Sequence, residues 1–149
     1  MIAVALALSG AAPSALQPLQ FLVGHCWRTT LKEGPTDTHC FASIAAGRQI
    51  RDRHAIRKDG KVVYTGESVF SANNKLLTYA YSGSTGFHLT GPMHVDGARL
   101  VFDDTDKTGS ETFWRQIDAS HFEEVTTASP KIKNPEERKA YELVADEAP

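Results

Sequence analysis

The sequence predicts an all-β protein that folds as a single antiparallel barrel of about eight to ten strands, with little helix. Short runs rich in β-branched and aromatic residues recur about every eight to twelve residues, with Gly, Asn and Asp between them. Before residue 130, no stretch has the apolar spacing of a long amphipathic helix. The length of 149 residues suits one core, because a chain of about 150 residues buries roughly 70% of its unfolded surface.

The charge balance argues against a nucleic-acid partner. The chain has 16 Lys and Arg against 18 Asp and Glu, a formal net charge of −2. Its basic residues are spread along the sequence with acids nearby, whereas a duplex partner usually requires a clustered basic face. A hydrophobic content of 41% with 23% charged residues is typical of a folded domain rather than a disordered one.

Residues 1–15 are predicted to be a signal peptide, and residues 16–149 the barrel domain. The first fifteen residues carry no charge, and their apolar run, Ile2 to Leu8, is far shorter than the roughly 20 residues of a membrane span. The small residues at positions 10–15 suit a leader-peptidase site, although the usual basic start of a leader is missing. The alternative is a hydrophobic N-terminus that stays with the domain. Export predicts a secreted or periplasmic protein without a transmembrane segment.

Cys26 and Cys40 are predicted to form a disulfide across the first hairpin. The residues between them indicate a strand, a short loop with Gly34 in the left-handed conformation, and a second strand. Antiparallel pairing then sets the two cysteines opposite each other, with Cβ atoms close enough to bridge. Closing a loop of about fifteen residues stabilises an exported protein by roughly 3 kcal/mol. The alternative is a pair of free buried thiols.

The dipeptides His25-Cys26 and His39-Cys40 suggest a structural zinc site as another alternative. Consecutive strand residues point to opposite faces, so each histidine would lie away from its neighbouring cysteine. A tetrahedral site would then need a bulge or coil there, and C-x-x-C spacing is absent. We therefore predict no metal site.

Turn residues delimit the later strands. These strands are predicted at residues 41–44, 48–56, 61–70, 75–81, 87–90, 93–95, 98–102, 111–117 and 121–127. Gly91-Pro92 is expected to separate two of them. Asn134-Pro135-Glu136-Glu137 has the cap, proline and acids of a helix start. We expect one helical turn there and then a strand over 139–144 that covers the edge of the first strand.

The segment Leu19–Trp27, LQFLVGHCW, is a leucine-rich approach to a glycine and a tryptophan. Later positions continue the pattern with Gly60, Tyr64, Gly66, Glu67, Tyr79, Tyr81 and Trp114. From Leu19 to Thr127 the chain resembles small lipocalin-like, calycin-type barrels, a group that includes many secreted proteins of unknown function. The resemblance implies a barrel of about eight to ten strands whose closed end is plugged by Trp27. It implies no particular reaction.

Strand alternation indicates which side chains face the barrel interior. Ile50, Asp52, His54 and Ile56 share one face of their strand, and the isoleucines mark that face as internal. An apolar cavity with a few inward polar groups suits a small ligand. The predicted ligand-binding residues are Trp27, Phe41, Asp52, His54, Tyr64, Tyr79, Tyr81 and Trp114. The alternative readings are that the aromatic residues only fill a core and that Asp52 and His54 only satisfy each other.

Catalytic motifs are absent from the sequence. It contains no G-x-S-x-G, H-E-x-x-H, C-x-x-C or phosphate-binding loop. An Asp52 and His54 dyad lacks an identified third partner, so no catalytic residue and no cofactor is predicted.

The predicted function is binding of a small apolar or amphipathic ligand by a secreted barrel. Two alternatives remain open. A related branch of such barrels is similar to nitrobindin and binds haem through a late histidine, which here would be His121. A packed barrel could instead act as a protein-interaction module, and a homodimer could form through the barrel edge.

Overall fold

A computed structural model describes residues 14–74, 76–103, 109–129 and 131–145. It is a closed barrel of ten antiparallel strands, which confirms the predicted fold class. The strands are β1 Cys26–Thr30, β2 Thr36–Ile44, β3 Gln49–Lys58, β4 Lys61–Asn73, β5 Leu76–Gly83, β6 His88–Asp96, β7 Arg99–Phe102, β8 Thr112–Gln116, β9 His121–Thr126 and β10 Glu137–Val144. Two short 3-10 turns, Gln17–Leu19 and Ala45–Gly47, accompany them.

The barrel closes through its first and last strands. Each strand pairs with its neighbours in sequence, and β10 also pairs with β1, setting Cys26 opposite Val144 and Trp27 opposite Leu143. The predicted closing strand is therefore confirmed. Because β10 occupies the edge of β1, the strand edge that the expected homodimer would use is already paired.

The helical turn predicted at residues 134–137 is wrong. Asn134 instead forms an isolated bridge with Ser129, whose N–H donates to the Asn134 carbonyl at 3.1 Å. Lys133 has a positive φ of 54°, so the chain reverses direction here as a turn and enters β10 at Glu137. The local helix-start signals are overridden by pairing across this turn.

The break predicted at Gly91-Pro92 is also wrong, since β6 runs unbroken through both residues. The carbonyl of Pro92 accepts the N–H of Asp103 at 3.1 Å. The nitrogen and carbonyl of a strand residue point to the same neighbour, so the missing proline N–H faces Asp103, just beyond the end of β7 at Phe102. Proline is tolerated there because the hydrogen bond that it cannot donate lies past the end of the β7 ladder.

One end of the barrel is closed by the segment before β1. Leu16, Leu19 and Leu22 are fully buried, and Trp27 lies with its ring centroid 5.3 Å from that of Phe122. Apart from Ser14 and Ala15, the predicted leader lies outside the described residues. Within the described ranges, no helix has the length and hydrophobicity that a membrane span requires.

The Cys26–Cys40 disulfide is confirmed. The two residues are direct partners in the β1–β2 register, with Cα atoms 4.1 Å apart. Gly34 has the expected positive φ, and the Leu31 N–H donates to the Pro35 carbonyl at 2.7 Å. The hairpin therefore has the register that the loop chemistry predicts.

Candidate functional site

Strands β2 and β3 direct four ionisable side chains into the barrel. Asp37 and His39 alternate on β2, and Asp52 and His54 alternate on β3, so each pair shares a face. The register sets His39 opposite His54. The four residues retain only 1 to 9% of their accessible surface. Such groups are costly to bury unless they pair with one another.

These four side chains do pair. A ring nitrogen of His39, Nδ1, lies 2.8 Å from Asp52 Oδ2, and its Nε2 lies 3.3 Å from Asp37 Oδ2. His54 Nδ1 lies 2.9 Å from Asp37 Oδ1. The two imidazole rings stack, with centroids 4.5 Å apart and planes at 15°.

Two tyrosines extend this network. The Tyr81 hydroxyl lies 3.0 Å from His54 Nε2 and 2.7 Å from the Tyr64 hydroxyl. Six side chains are thus connected in one continuous order, which we call the Asp-His-Tyr chain: Asp52, His39, Asp37, His54, Tyr81 and Tyr64.

Two glycines make room for the tyrosine end of this chain. Gly66 and Gly83 are register partners on β4 and β5. A β-carbon on Gly66 would overlap the His54 ring and the Tyr81 hydroxyl, and one on Gly83 would overlap the Tyr64 hydroxyl. The absence of side chains at these two positions is therefore required for the observed hydrogen bonds.

The charges in the Asp-His-Tyr chain are set by the pairing. Burial acts to lower the pKa of His39, but the charges and hydrogen bonds of Asp52 and Asp37 outweigh it and raise the pKa to about 10. Burial acts to raise the pKa of Asp37, but hydrogen bonds from His39 and His54 hold it well below its usual range. At neutral pH, His39 is therefore an imidazolium and Asp37 a carboxylate.

A cavity of about 420 Å³ lies beside this chain, lined by inward-facing strand residues and open to solvent past Phe87, whose side chain is exposed. Its apolar walls include Tyr79, Leu89, Phe102 and Trp114, with Phe87. The cavity's remaining lining residues are Ser68, Tyr81, Asp103, Ser110, Thr112 and Glu124. Tyr81 therefore belongs both to the cavity wall and to the Asp-His-Tyr chain.

Glu124, on β9, supplies another charge at the cavity wall, with its side chain half-buried. Its carboxylate accepts hydrogen bonds from Trp114 Nε1 at 2.9 Å and from Lys139 Nζ at 2.7 Å. Burial acts to raise the pKa of Glu124, but the Lys139 charge and both hydrogen bonds keep it below the usual value. The cavity therefore has an ionised carboxylate in its wall.

A second pocket, of about 430 Å³, reaches His54 from the other side of the Gly66 and Gly83 backbone. Its polar lining includes Arg53 and Glu67, which form an ion pair at 3.3 Å. We call this the outer pocket. His54 borders the outer pocket, and its hydrogen-bond partner Tyr81 borders the internal cavity.

No protein-family model and no curated protein matches this sequence. The geometry of the site is therefore the basis for inferring its function.

The predicted ligand-binding residues fall into three groups. Tyr79, Tyr81 and Trp114 line the internal cavity. Asp52, His54 and Tyr64 belong, with Tyr81, to the Asp-His-Tyr chain. Trp27 and Phe41 lie in the core outside the cavity lining: Trp27 packs on Phe122, and Phe41 lies 5.9 Å from Trp114 and stacks on His39 at 6.2 Å.

Sequence reasoning missed Asp37, His39, Glu124 and Lys139 as members of the interior. For Asp37 and His39 a signal was present, because they alternate with Phe41 on one strand face. Glu124 and Lys139 alternate in the same way with the buried Phe122 and Tyr141, but charged side chains are rarely internal, and these two are so only because they pair across adjacent strands.

The structure also places the residues of two alternatives, the haem ligand His121 and the cysteines of a zinc site. His121 is on the strand face opposite the buried Phe122, and its half-exposed ring bonds to Asp118 at 2.8 Å. It therefore points away from the cavity, and we do not assign it to haem. Both cysteine sulfurs are used by the disulfide and do not serve as zinc ligands with His25 and His39.

Proposed function

We propose that this protein binds a small amphipathic molecule in the internal cavity of a lipocalin-like barrel. The observation that carries the proposal is the cavity of about 420 Å³ with an aromatic wall and a few polar groups. Small-molecule sites typically have volumes of about 300–1,000 Å³ and this kind of lining. A barrel that worked only through its surface would gain nothing from an unfilled interior, because filling it would add stability.

The aromatic wall is the part of the cavity that supplies affinity. The ring of Phe102 lies 5.0 Å from that of Trp114 and 5.1 Å from that of Tyr79. These rings form one surface against which a flat apolar group can stack. Burying apolar area contributes about 25 cal/mol per Å² before the costs of association.

The polar groups favour a ligand that is neutral or cationic. Glu124 is ionised, and Asp103 lies at the same cavity. The carboxylate oxygens of both residues accept hydrogen bonds. Ser68 and Tyr81 offer hydroxyls that can donate or accept. An anionic ligand would meet like charge from the Glu124 and Asp103 carboxylates, which costs affinity.

An exported location belongs to the same proposal. The disulfide is typical of proteins that fold in an oxidising compartment. The uncharged, small-residue segment 1–15 supports removal of a leader there.

The experiment is a fluorescence titration with N-phenyl-1-naphthylamine, a neutral amphipathic probe. Leu89→Trp places a large ring in the cavity wall, and Val63→Trp makes the same kind of change on an exposed position of β4. We expect Leu89→Trp to weaken binding by at least about 10-fold, or 1.4 kcal/mol, and Val63→Trp to leave it unchanged. Equal affinities in both variants, or no binding to the wild type, would contradict the proposal.

The charge preference has its own matched pair of probes. The 8-sulfonate of the same compound, 1-anilinonaphthalene-8-sulfonate, adds a negative charge to a similar ring system. We expect the sulfonate to bind at least about 10-fold more weakly than the neutral probe. In Glu124→Gln this difference in affinity should become smaller. Tighter binding of the sulfonate by the wild type would contradict the preference of the cavity for a neutral or cationic ligand.

A further inference from the structure

We propose that Asp37, His39 and His54 form a binding site for one divalent transition-metal ion, such as Zn²⁺, inside the barrel. This inference goes beyond ligand binding in the cavity and does not depend on it. It rests on the convergence of three donor atoms, on the partners of the outer ring nitrogens, and on the charge of the cluster.

The three residues offer one donor atom each within 4.8 Å of one another. In the present arrangement His54 Nδ1 and His39 Nε2 both face the Asp37 carboxylate, at 2.9 and 3.3 Å. Zinc takes nitrogen and oxygen ligands at about 2.0–2.2 Å, so donor atoms around one ion lie roughly 3–3.5 Å apart. The distance from each imidazole to the carboxylate is therefore already close to that of a bound site, while the two rings face different oxygens of Asp37 and the three donor atoms together span up to 4.8 Å. Two imidazoles with one carboxylate is also a donor set that suits zinc and iron.

The other nitrogen of each ring already has a hydrogen-bond partner outside the three proposed ligands. His39 Nδ1 bonds to Asp52 Oδ2 at 2.8 Å, and His54 Nε2 bonds to the Tyr81 hydroxyl at 3.0 Å. Histidine ligands of metals almost always have such a partner on the nitrogen that does not bind the ion, because it fixes the ring and its tautomer. Both histidines meet this requirement, because the nitrogen that lacks an outer partner, Nε2 of His39 and Nδ1 of His54, is the one that faces Asp37.

The charge of the cluster favours a dication. Two carboxylates, Asp37 and Asp52, are buried here, and Asp52 Oδ1 has no hydrogen-bond partner among the described residues. Binding displaces the His39 proton, and with both imidazoles then neutral a dication would bring the sum of the charges to zero. Buried charge is tolerated best when it is balanced in this way.

Binding requires a local change and an entry route. The rings now stack at 15°, so they must tilt for both lone pairs to meet at one ion. His54 borders the outer pocket, where Glu67 adds a carboxylate at the entrance. Three protein ligands leave a further coordination position free for water or a small molecule, as in catalytic rather than structural zinc sites.

The test is a calorimetric titration of chelator-treated protein without a histidine tag, using Zn²⁺ at neutral pH. We expect one ion per chain. Asp52→Asn should weaken binding by about 10- to 100-fold, as for other outer partners, and Asp37→Asn and His54→Gln by more than about 100-fold. His121→Gln is the matched control, because it removes an exposed histidine that also bonds to an aspartate.

A second measurement protects the test against variants that do not fold. Co²⁺ added to the wild type should give visible absorption bands of a site with nitrogen and oxygen ligands, and Zn²⁺ should remove them. A wild type that takes up no Zn²⁺ and shows no Co²⁺ bands would overturn the proposal. Loss of binding in His121→Gln, or full binding in a folded His54→Gln, would overturn it as well. Probe binding in the cavity is measured separately, so failure of one proposal is distinguishable from failure of the other.

Discussion

His39 shows how much a single residue depends on its neighbours in this barrel. It sits between Asp37 and Asp52, and the two carboxylates raise its pKa to about 10 despite burial. The same contacts hold the pKa of Asp37 well below its usual range. The folded protein is therefore stabilised by charges that the unfolded chain does not hold together.

The stability of the protein should fall as the pH rises from about 6.5 to about 10. In this window the folded protein keeps the His39 proton and the unfolded chain releases it, because the pKa values are about 10 and 6.5. The free energy of unfolding then decreases with pH, by at most about 1.4 kcal/mol per pH unit. Below pH 6.5 the stabilisation that the His39 charge supplies is fully present. The stabilisation that the Asp37 carboxylate supplies is lost only in acid.

Urea unfolding of the metal-free protein at a series of pH values measures this slope. His39→Gln should flatten it, whereas His121→Gln, which alters an exposed histidine, should keep it. A wild type whose stability rises with pH over this window would show that His39 is not held as an imidazolium.

Only part of the site could be read from individual residues. Alternation along β3 sets Asp52 and His54 on the face of Ile50, and both side chains are buried. Their partners were not predictable, because the bond from Asp37 to His54 spans 17 residues and depends on the register between two strands. A shift of one residue would turn each side chain to the other face.

At the scale of elements, the β1–β2 hairpin was predictable because its signals agree. The glycine of the loop, the alternation on both sides and the cysteine positions all specify the same register. Pro92 and the segment 134–137 were not predictable, because local signals there are overridden by pairing with other strands. Local chemistry therefore fixes a short hairpin better than a strand that closes the barrel.

The disulfide of this hairpin should contribute roughly 3 kcal/mol to stability, since it closes a loop with a sequence separation of 14. Replacing both Cys26 and Cys40 by Ser, or reducing the wild type, should lower the free energy of unfolding by about this amount. Chemical denaturation with and without reductant measures it, with reductant added to the double variant as control. A stability unaffected by reduction would show that the hairpin is held by pairing alone.

At the scale of the whole molecule, ring closure brings the functional residues together. β2 and β3 carry the Asp-His-Tyr chain's acids and imidazoles, β5 carries Tyr79 and Tyr81, and β8 and β9 carry Trp114 and Glu124. β2 and β3 are far from β8 and β9 in sequence, and the pairing of β10 with β1 brings both sets into one ring. The ends of the barrel differ, since Leu16, Leu19 and Leu22 fill one of them.

A crystal structure of the protein with N-phenyl-1-naphthylamine would test the central claim most directly. The account predicts that the naphthyl ring lies inside the barrel against Tyr79, Phe102 and Trp114, with the amine toward Ser68, Tyr81 or Glu124. A probe bound only on the outer surface, with the interior filled by side chains of the protein itself, would contradict it.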